Sequence, residues 1–145
     1  MSEQDKTAEE KLEEAEKKYL YLYAEFDNFK KRVDRDKESF LKYGHEPLMK
    51  DLLSVQDNFL RASSHAKDPD TKAGLEMIVT QFANVLENYG VSAIKTEDVK
   101  FDPNFHEALI EETSEKEKGT ITLEVEKGYL LHNRLLRAAK VVVSK

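Results

Sequence analysis

The sequence predicts an α+β protein with a long N-terminal dimerising helix, two short helices and a small C-terminal all-β domain. Three observations support this prediction. Apolar residues recur at alternating spacings of three and four over residues 12–43, and the same spacing returns in two shorter stretches before Gly90. After Gly90 the spacing changes to about two, which is typical of strands.

The long helix is predicted over residues 12–44, after a short polar tail of residues 1–11. Residues 12–43 contain no glycine and no proline, and only Asp36 interrupts their apolar series. The members of this heptad seam are Leu12, Ala15, Tyr19, Leu22, Phe26, Phe29, Val33, Phe40 and Tyr43. Such a helix is about 48 Å long, so a second copy of the same helix would cover the seam best. A single amphipathic helix folded onto its own domain is the alternative.

Two short helices are predicted within residues 45–90, because Gly44 and Pro47 interrupt the long helix. Their apolar series are Leu48, Leu52, Val55, Phe59, Ala62 and Ala66, then Leu75, Ile78, Phe82, Val85 and Tyr89. We expect a turn at residues 68–70 and a C-terminal cap at Gly90. Such a hairpin is a poor core alone, whereas two hairpins from two chains make a four-helix bundle, which also favours a dimer.

Residues 91–145 are predicted to form the β domain. Strands are expected at residues 91–94, 108–110, 120–126, 129–131 and 137–143. Within residues 120–126 the alternation places Ile121, Leu123 and Val125 on one face. His132 and Asn133 suit a hairpin turn, since Asn tolerates the left-handed conformation.

Composition excludes several classes of protein. The 145 residues are one domain's length, and without cysteine they form neither disulfides nor thiolate metal sites. The net charge of −6 disfavours nucleic acid and anionic membranes, and there is no apolar run for a membrane span and no signal peptide. We therefore expect a cytoplasmic protein.

Motifs of catalysis and cofactor binding are missing from the sequence. It has no glycine-rich phosphate loop, so no bound nucleotide is expected, and its four histidines lack the spacing of metal ligands. The sequence therefore predicts no enzyme, no cofactor and no metal. The basic run at residues 30–32 indicates either a solvated helix face or a protein partner with an acidic surface, and nucleic acid is the least favoured reading.

Two motifs carry a family resemblance. Residues 101–109 (FDPNFHEAL) are followed by residues 128–143 (GYLLHNRLLRAAKVVV), and residues 24–32, 51–62 and 74–76 add further matches. Together with the order of the predicted elements, these motifs resemble the GrpE family of bacterial and organellar cochaperones. The resemblance covers about residues 12–145.

The resemblance implies a homodimeric nucleotide exchange factor that binds the ATPase domain of a DnaK-type chaperone, opens its cleft and promotes ADP release in protein folding and the heat-shock response. It places partner-binding residues at Lys30, Lys31, Arg61, Gly74, Phe101, Val125, Arg134 and Val143. From pattern alone, Val125 and Val143 are expected in the core and Arg134 on the surface, while Gly74 could simply begin a helix. A dimeric adaptor for another partner, without exchange activity, is the alternative function.

Overall fold

The computed structural model describes residues 7–145, which divide into two compact units, one up to Lys42 and the other over residues 43–145. The described elements are the helices α1 (Ala8–Tyr43), α2 (Glu46–His65) and α3 (Pro69–Asn88), and the strands β1 (Val91–Ala93), β2 (His106–Glu112), β3 (Ile121–Glu126), β4 (Tyr129–Leu131), β5 (Arg134–Arg137) and β6 (Ala139–Ser144). This arrangement confirms the predicted α+β class.

Helix α1 begins at Ala8, four residues before the predicted start. Thr7 explains the difference: its hydroxyl accepts a hydrogen bond from the Glu10 amide at 3.3 Å, and its own amide donates to the Glu10 carboxylate at 2.8 Å. This is a capping box, which satisfies two amides at the helix start. The first six residues of the predicted tail lie outside the described residues.

Helix α1 buries none of its residues. Its large seam side chains from Leu12 to Phe40 are between 43% and 74% exposed. Ion pairs such as Glu13–Lys17 at 2.6 Å lie along the helix, one turn apart. No helix within residues 7–145 is long and apolar enough to cross a membrane.

Helices α2 and α3 form the predicted hairpin, in which the Phe59 and Phe82 ring centres are 6.4 Å apart. Pro69 does not lie in a turn: it is the first residue of α3, where its missing amide costs nothing. The Asp68 side chain caps this helix by accepting from the Thr71 amide at 2.8 Å. Gly90 follows the end of α3 with φ of +86°, as its predicted role as a cap requires.

One hydrophobic core joins the hairpin to the first sheet, although the predicted domain boundary lies at residue 90. Its buried members are Met49, Leu53, Leu86, Val91, Tyr129, Leu131 and Leu136. Strands β1, β4 and β5 form this sheet in that order and are antiparallel. The hairpin and the first sheet therefore stabilise each other.

The second sheet has the order β2-β6-β3, with β2 parallel and β3 antiparallel to the central strand β6. Ile94, Ile121, Ala139, Val141 and Val143 form its core. The prediction of one strand over residues 137–143 is wrong, because the chain leaves the first sheet at Arg137 and enters the second at Ala139.

Strand β3 does not bury the face that its alternation predicts. Only Ile121 is buried, while Leu123 and Val125 are 58% and 55% exposed. The pairing with β6 shifts register twice, between Ile121 and Leu123 and again between Glu124 and Glu126. Each irregularity changes which face the following side chains occupy, so the simple period of two fails here.

The hairpin turn between β4 and β5 lies where it was predicted, but His132, not Asn133, has the left-handed conformation, with φ of 52°. The His132 amide donates to the Gly90 carbonyl at 2.7 Å. A Cβ atom on Gly90 would lie 2.3 Å from the His132 ring. Position 90 therefore has no room for a side chain beside the His132 ring.

Candidate functional site

Helix α1 carries two of the eight predicted partner-binding residues. Lys30 and Lys31 are exposed on it, and the Lys31 ammonium lies 2.7 Å from the Asp27 carboxylate one turn earlier. An exposed ion pair of this kind contributes little to stability, so the ammonium can exchange Asp27 for a carboxylate of a partner.

Arg134 lies at the start of β5 and is held in one orientation although half of it is exposed. Its guanidinium lies 4.1 Å from the centre of the Tyr43 ring and 3.0 Å from the Glu46 carboxylate. Hydrogen bonds from Lys50 and from Arg134 hold the pKa of Glu46 below its usual value. The stacking and the ion pair fix the guanidinium plane, and they leave further N–H groups for a partner.

Arg61 and Val125 lie on opposite walls of one cleft. The cleft has a volume of about 770 Å³ and lies between α2 and the end of β3. Arg61 is exposed on α2, where its guanidinium donates to the Asn58 side chain. The expectation that Val125 is a core residue is wrong, because the irregular β3 pairing leaves it exposed at the rim of this cleft.

Phe101 and Val143 belong to the core of the second sheet. Val143 is buried, as its strand pattern predicts, and Phe101 packs half-buried against the same cluster. The Phe101 ring centre lies 6.1 Å from that of His106, whose Nδ1 accepts from the Asp102 amide at 3.0 Å. Neither Phe101 nor Val143 therefore presents a fully exposed side chain.

Gly74 lies inside α3, five residues after the helix begins at Pro69. The interpretation of Gly74 as a helix-start residue is therefore wrong. A Cβ atom built on it would have no heavy atom within 4 Å. Gly74 is thus an open position on the helix surface, where the backbone is accessible to a partner.

Asp57 and Arg137 are a pair that the sequence analysis missed. Two hydrogen bonds, at 2.6 and 3.0 Å, join the Arg137 guanidinium to the Asp57 carboxylate at the floor of the cleft. Both residues lie within segments that carry the family resemblance, so the sequence could have indicated each of them separately. Their pairing across 80 residues was not, since no local pattern links α2 to β5.

Metal binding has no candidate here: within residues 7–145, no group of three or more His, Asp or Glu side chains is arranged to hold a metal ion.

Comparisons with known proteins agree on one family. The family model described as GrpE matches residues 1–145. The chain is 40% identical over 142 residues to the protein GrpE of Syntrophobacter fumaroxidans, covering 94% of this chain and 75% of that protein. The protein GrpE of Parageobacillus thermoglucosidasius is 41% identical over 142 residues, with coverages of 94% and 63%. That of Desulfatibacillum aliphaticivorans is 42% identical over 135 residues, with coverages of 88% and 65%.

These matches define the class of protein as a cochaperone. The chain belongs to the GrpE family. It spans between 63% and 75% of the lengths of these three relatives.

Proposed function

We propose that the protein is a homodimeric nucleotide exchange factor. It opens the ATPase cleft of a DnaK-type chaperone and promotes ADP release, as part of protein folding and the heat-shock response. Membership of the GrpE family supports this function. We propose that the protein and its partner chaperone both act in the cytoplasm.

The observation that carries the proposed dimer is the uncovered seam of α1, since the helix buries none of its residues. Burying one large apolar side chain contributes about 1.5–3 kcal/mol. Several such side chains on each helix offset an association cost of about 4–15 kcal/mol. A second copy of α1 supplies a seam of the same length and spacing.

The hairpin offers a second surface to which the other chain of the proposed dimer would bind. An apolar groove of about 370 Å³ runs between α2 and α3. It is lined by His45, Leu48, Met49, Leu52, Phe82, Val85, Leu86 and Tyr89. Two such hairpins would pack as the proposed four-helix bundle.

Exchange requires only that the protein bind the open nucleotide cleft more tightly than the closed one. We assign this binding to the eight partner-binding residues. Arg134 supports the assignment because its guanidinium is exposed and held by Tyr43 and Glu46. Arg61 and Val125 support it because they line one cleft.

The activity is tested by stopped-flow release of a fluorescent ADP analogue from a DnaK-type chaperone. We expect the chain to accelerate release and Arg134→Ala to weaken its affinity for the chaperone by roughly tenfold, since arginine is enriched among interface hot spots. Lys17→Ala, which removes an exposed basic side chain of α1 more than three helical turns before Lys30, is the control. No acceleration at saturating concentration would refute the exchange function.

The dimer is tested by analytical ultracentrifugation of two variants of α1. Phe26→Glu places a charge in the seam and should give monomers. Tyr21→Glu places the same charge on an equally exposed residue outside the seam and should leave the dimer intact. Equal behaviour of the two variants would contradict pairing through this seam.

A dimeric adaptor without exchange activity is the second candidate, because the uncovered seam suits it equally well. The two functions separate in the release assay combined with a binding measurement. An adaptor would leave the rate of ADP release unchanged, whether or not it binds the chaperone.

A further inference from the structure

Two chain connections between the sheets lie against each other in unit 43–145. Strand β3 continues into β4 through Lys127 and Gly128, and β5 continues into β6 through Ala138. A Cβ atom on Gly128 would lie only 2.3 Å from the Ala139 nitrogen. Any change in the angle between the sheets must therefore move this crossing point.

Arg137, at the end of β5, binds the β3–β4 connection at the crossing point and also binds α2. Its Nη1 and Nη2 donate to the two Asp57 carboxylate oxygens at 2.6 and 3.0 Å. Its Nε and Nη2 donate to the Lys127 carbonyl at 3.0 and 2.7 Å, and Nε lies 3.3 Å from the Glu126 carboxylate. The guanidinium is thus shared among a helix, a turn and the end of β3.

The surroundings of this ion pair favour a strong interaction. The Arg137 and Asp57 side chains are only 22% and 31% exposed. The Asp57 hydrogen bonds raise the pKa of Arg137 above its usual value. Bidentate arginine–carboxylate pairs restrict orientation as well as distance, which a lysine at the same position does not do.

We propose that Arg137, together with Asp57, is a positioning residue that holds the second sheet at a fixed angle to α2. This inference rests on the proposed exchange function. The pair keeps Val125, on the end of β3, at a fixed distance from Arg61, on α2. Neither Arg137 nor Asp57 needs to touch the chaperone.

The fixed angle matters because the rate of exchange depends on the difference between two affinities. A rigid scaffold fits the open cleft and does not fit the closed one. A scaffold with a loose sheet adapts to both, so it still binds but shifts the population toward the open cleft less. Loosening therefore lowers the maximal rate more than the affinity.

The test compares Arg137→Lys and Asp57→Asn with the wild-type chain. Each protein is added to a fixed amount of the ADP-loaded chaperone, up to saturation. We expect the saturating rate of ADP release to fall about tenfold, which corresponds to a loss of about 1.4 kcal/mol in the preference for the open cleft over the closed one. The half-saturating concentration should change by less than about threefold. Glu117→Gln, which removes a carboxylate from an exposed pair with Lys100 at 3.3 Å, should match the wild type.

Amide hydrogen exchange adds a readout that does not need the chaperone. Arg137→Lys should speed exchange around residues 126–140 and leave the middle of α3 unchanged. Asp57→Asn gives the same test with a smaller change, should Arg137→Lys fail to fold.

Two outcomes would overturn the inference: an unchanged saturating rate in both variants, or a shift of the half-saturating concentration alone. A wild-type chain that fails to accelerate release refutes the exchange function instead. In that case unchanged amide exchange in both variants still overturns the positioning role, and faster exchange retains it.

Discussion

Gly128→Ala is the substitution for which the structure gives the clearest expectation. Gly128 lies between β3 and β4, and its carbonyl accepts a hydrogen bond from the Ile94 amide at 2.9 Å. A Cβ atom there would meet three backbone atoms, the Ala139 nitrogen at 2.3 Å and the Ala138 carbonyl carbon and Ala139 Cα at 2.8 Å. None of these atoms can rotate away, so the two crossing chains must separate.

The expected cost follows from this overlap. Overpacking a well-packed interior costs about 1–3 kcal/mol, and the upper end applies where backbone must move. For a chain of this size, about 3 kcal/mol lowers the midpoint of thermal unfolding by roughly 10 °C. Gly74→Ala is the matched control, since the same methyl group enters open space inside α3. Ala is favoured over Gly in a helix by about 1 kcal/mol, so this variant should melt slightly higher than the wild type.

Circular dichroism of the free proteins measures both midpoints under one set of conditions. A Gly128→Ala protein that melts with the wild type would refute the reasoning, because it would show that the crossing chains are not closely packed. Destabilisation of Gly74→Ala by a similar amount would show that the effect does not depend on the Gly128 site.

Two further predictions concern stability. Leu131→Ala removes a fully buried side chain from the core between the hairpin and the first sheet, and it should cost about 3–4 kcal/mol of unfolding free energy in urea. Leu135→Ala, at a half-exposed position on the next strand, should cost clearly less, and equal losses would contradict the placement of this core. Hydrogen bonds from the Thr71 hydroxyl and amide hold the pKa of Asp68 below its usual 3.8. The stability that this helix cap contributes is therefore present above pH 3.8, and it is lost as the pH falls through the lower pKa of the folded state. Asp68→Ala should therefore melt below the wild type at about pH 7, and the difference should shrink as the pH falls below 3.8; a difference independent of pH would rule out this cap.

The predicted partner-binding residues show how far pattern reasoning reaches. The motifs located all eight positions, and alternation correctly buried Val143. The same alternation wrongly placed Val125 in the core. Two register shifts in β3 mean that every second residue no longer lies on the same face of the sheet. Gly74 was open to two interpretations until the Asp68 cap showed where α3 begins. Binding by these residues stays a prediction.

The sequence by itself determined the three helices and the change to strands after Gly90, since both follow from the spacing of apolar residues along short stretches. It also determined the family, through two long motifs. Only the tertiary structure decided that residues 134–144 divide between two sheets and that Arg137 meets Asp57 across 80 residues. The physical reason is that secondary structure depends on neighbours a few residues away. Sheet membership and ion pairing depend instead on which distant segments the two cores bring together.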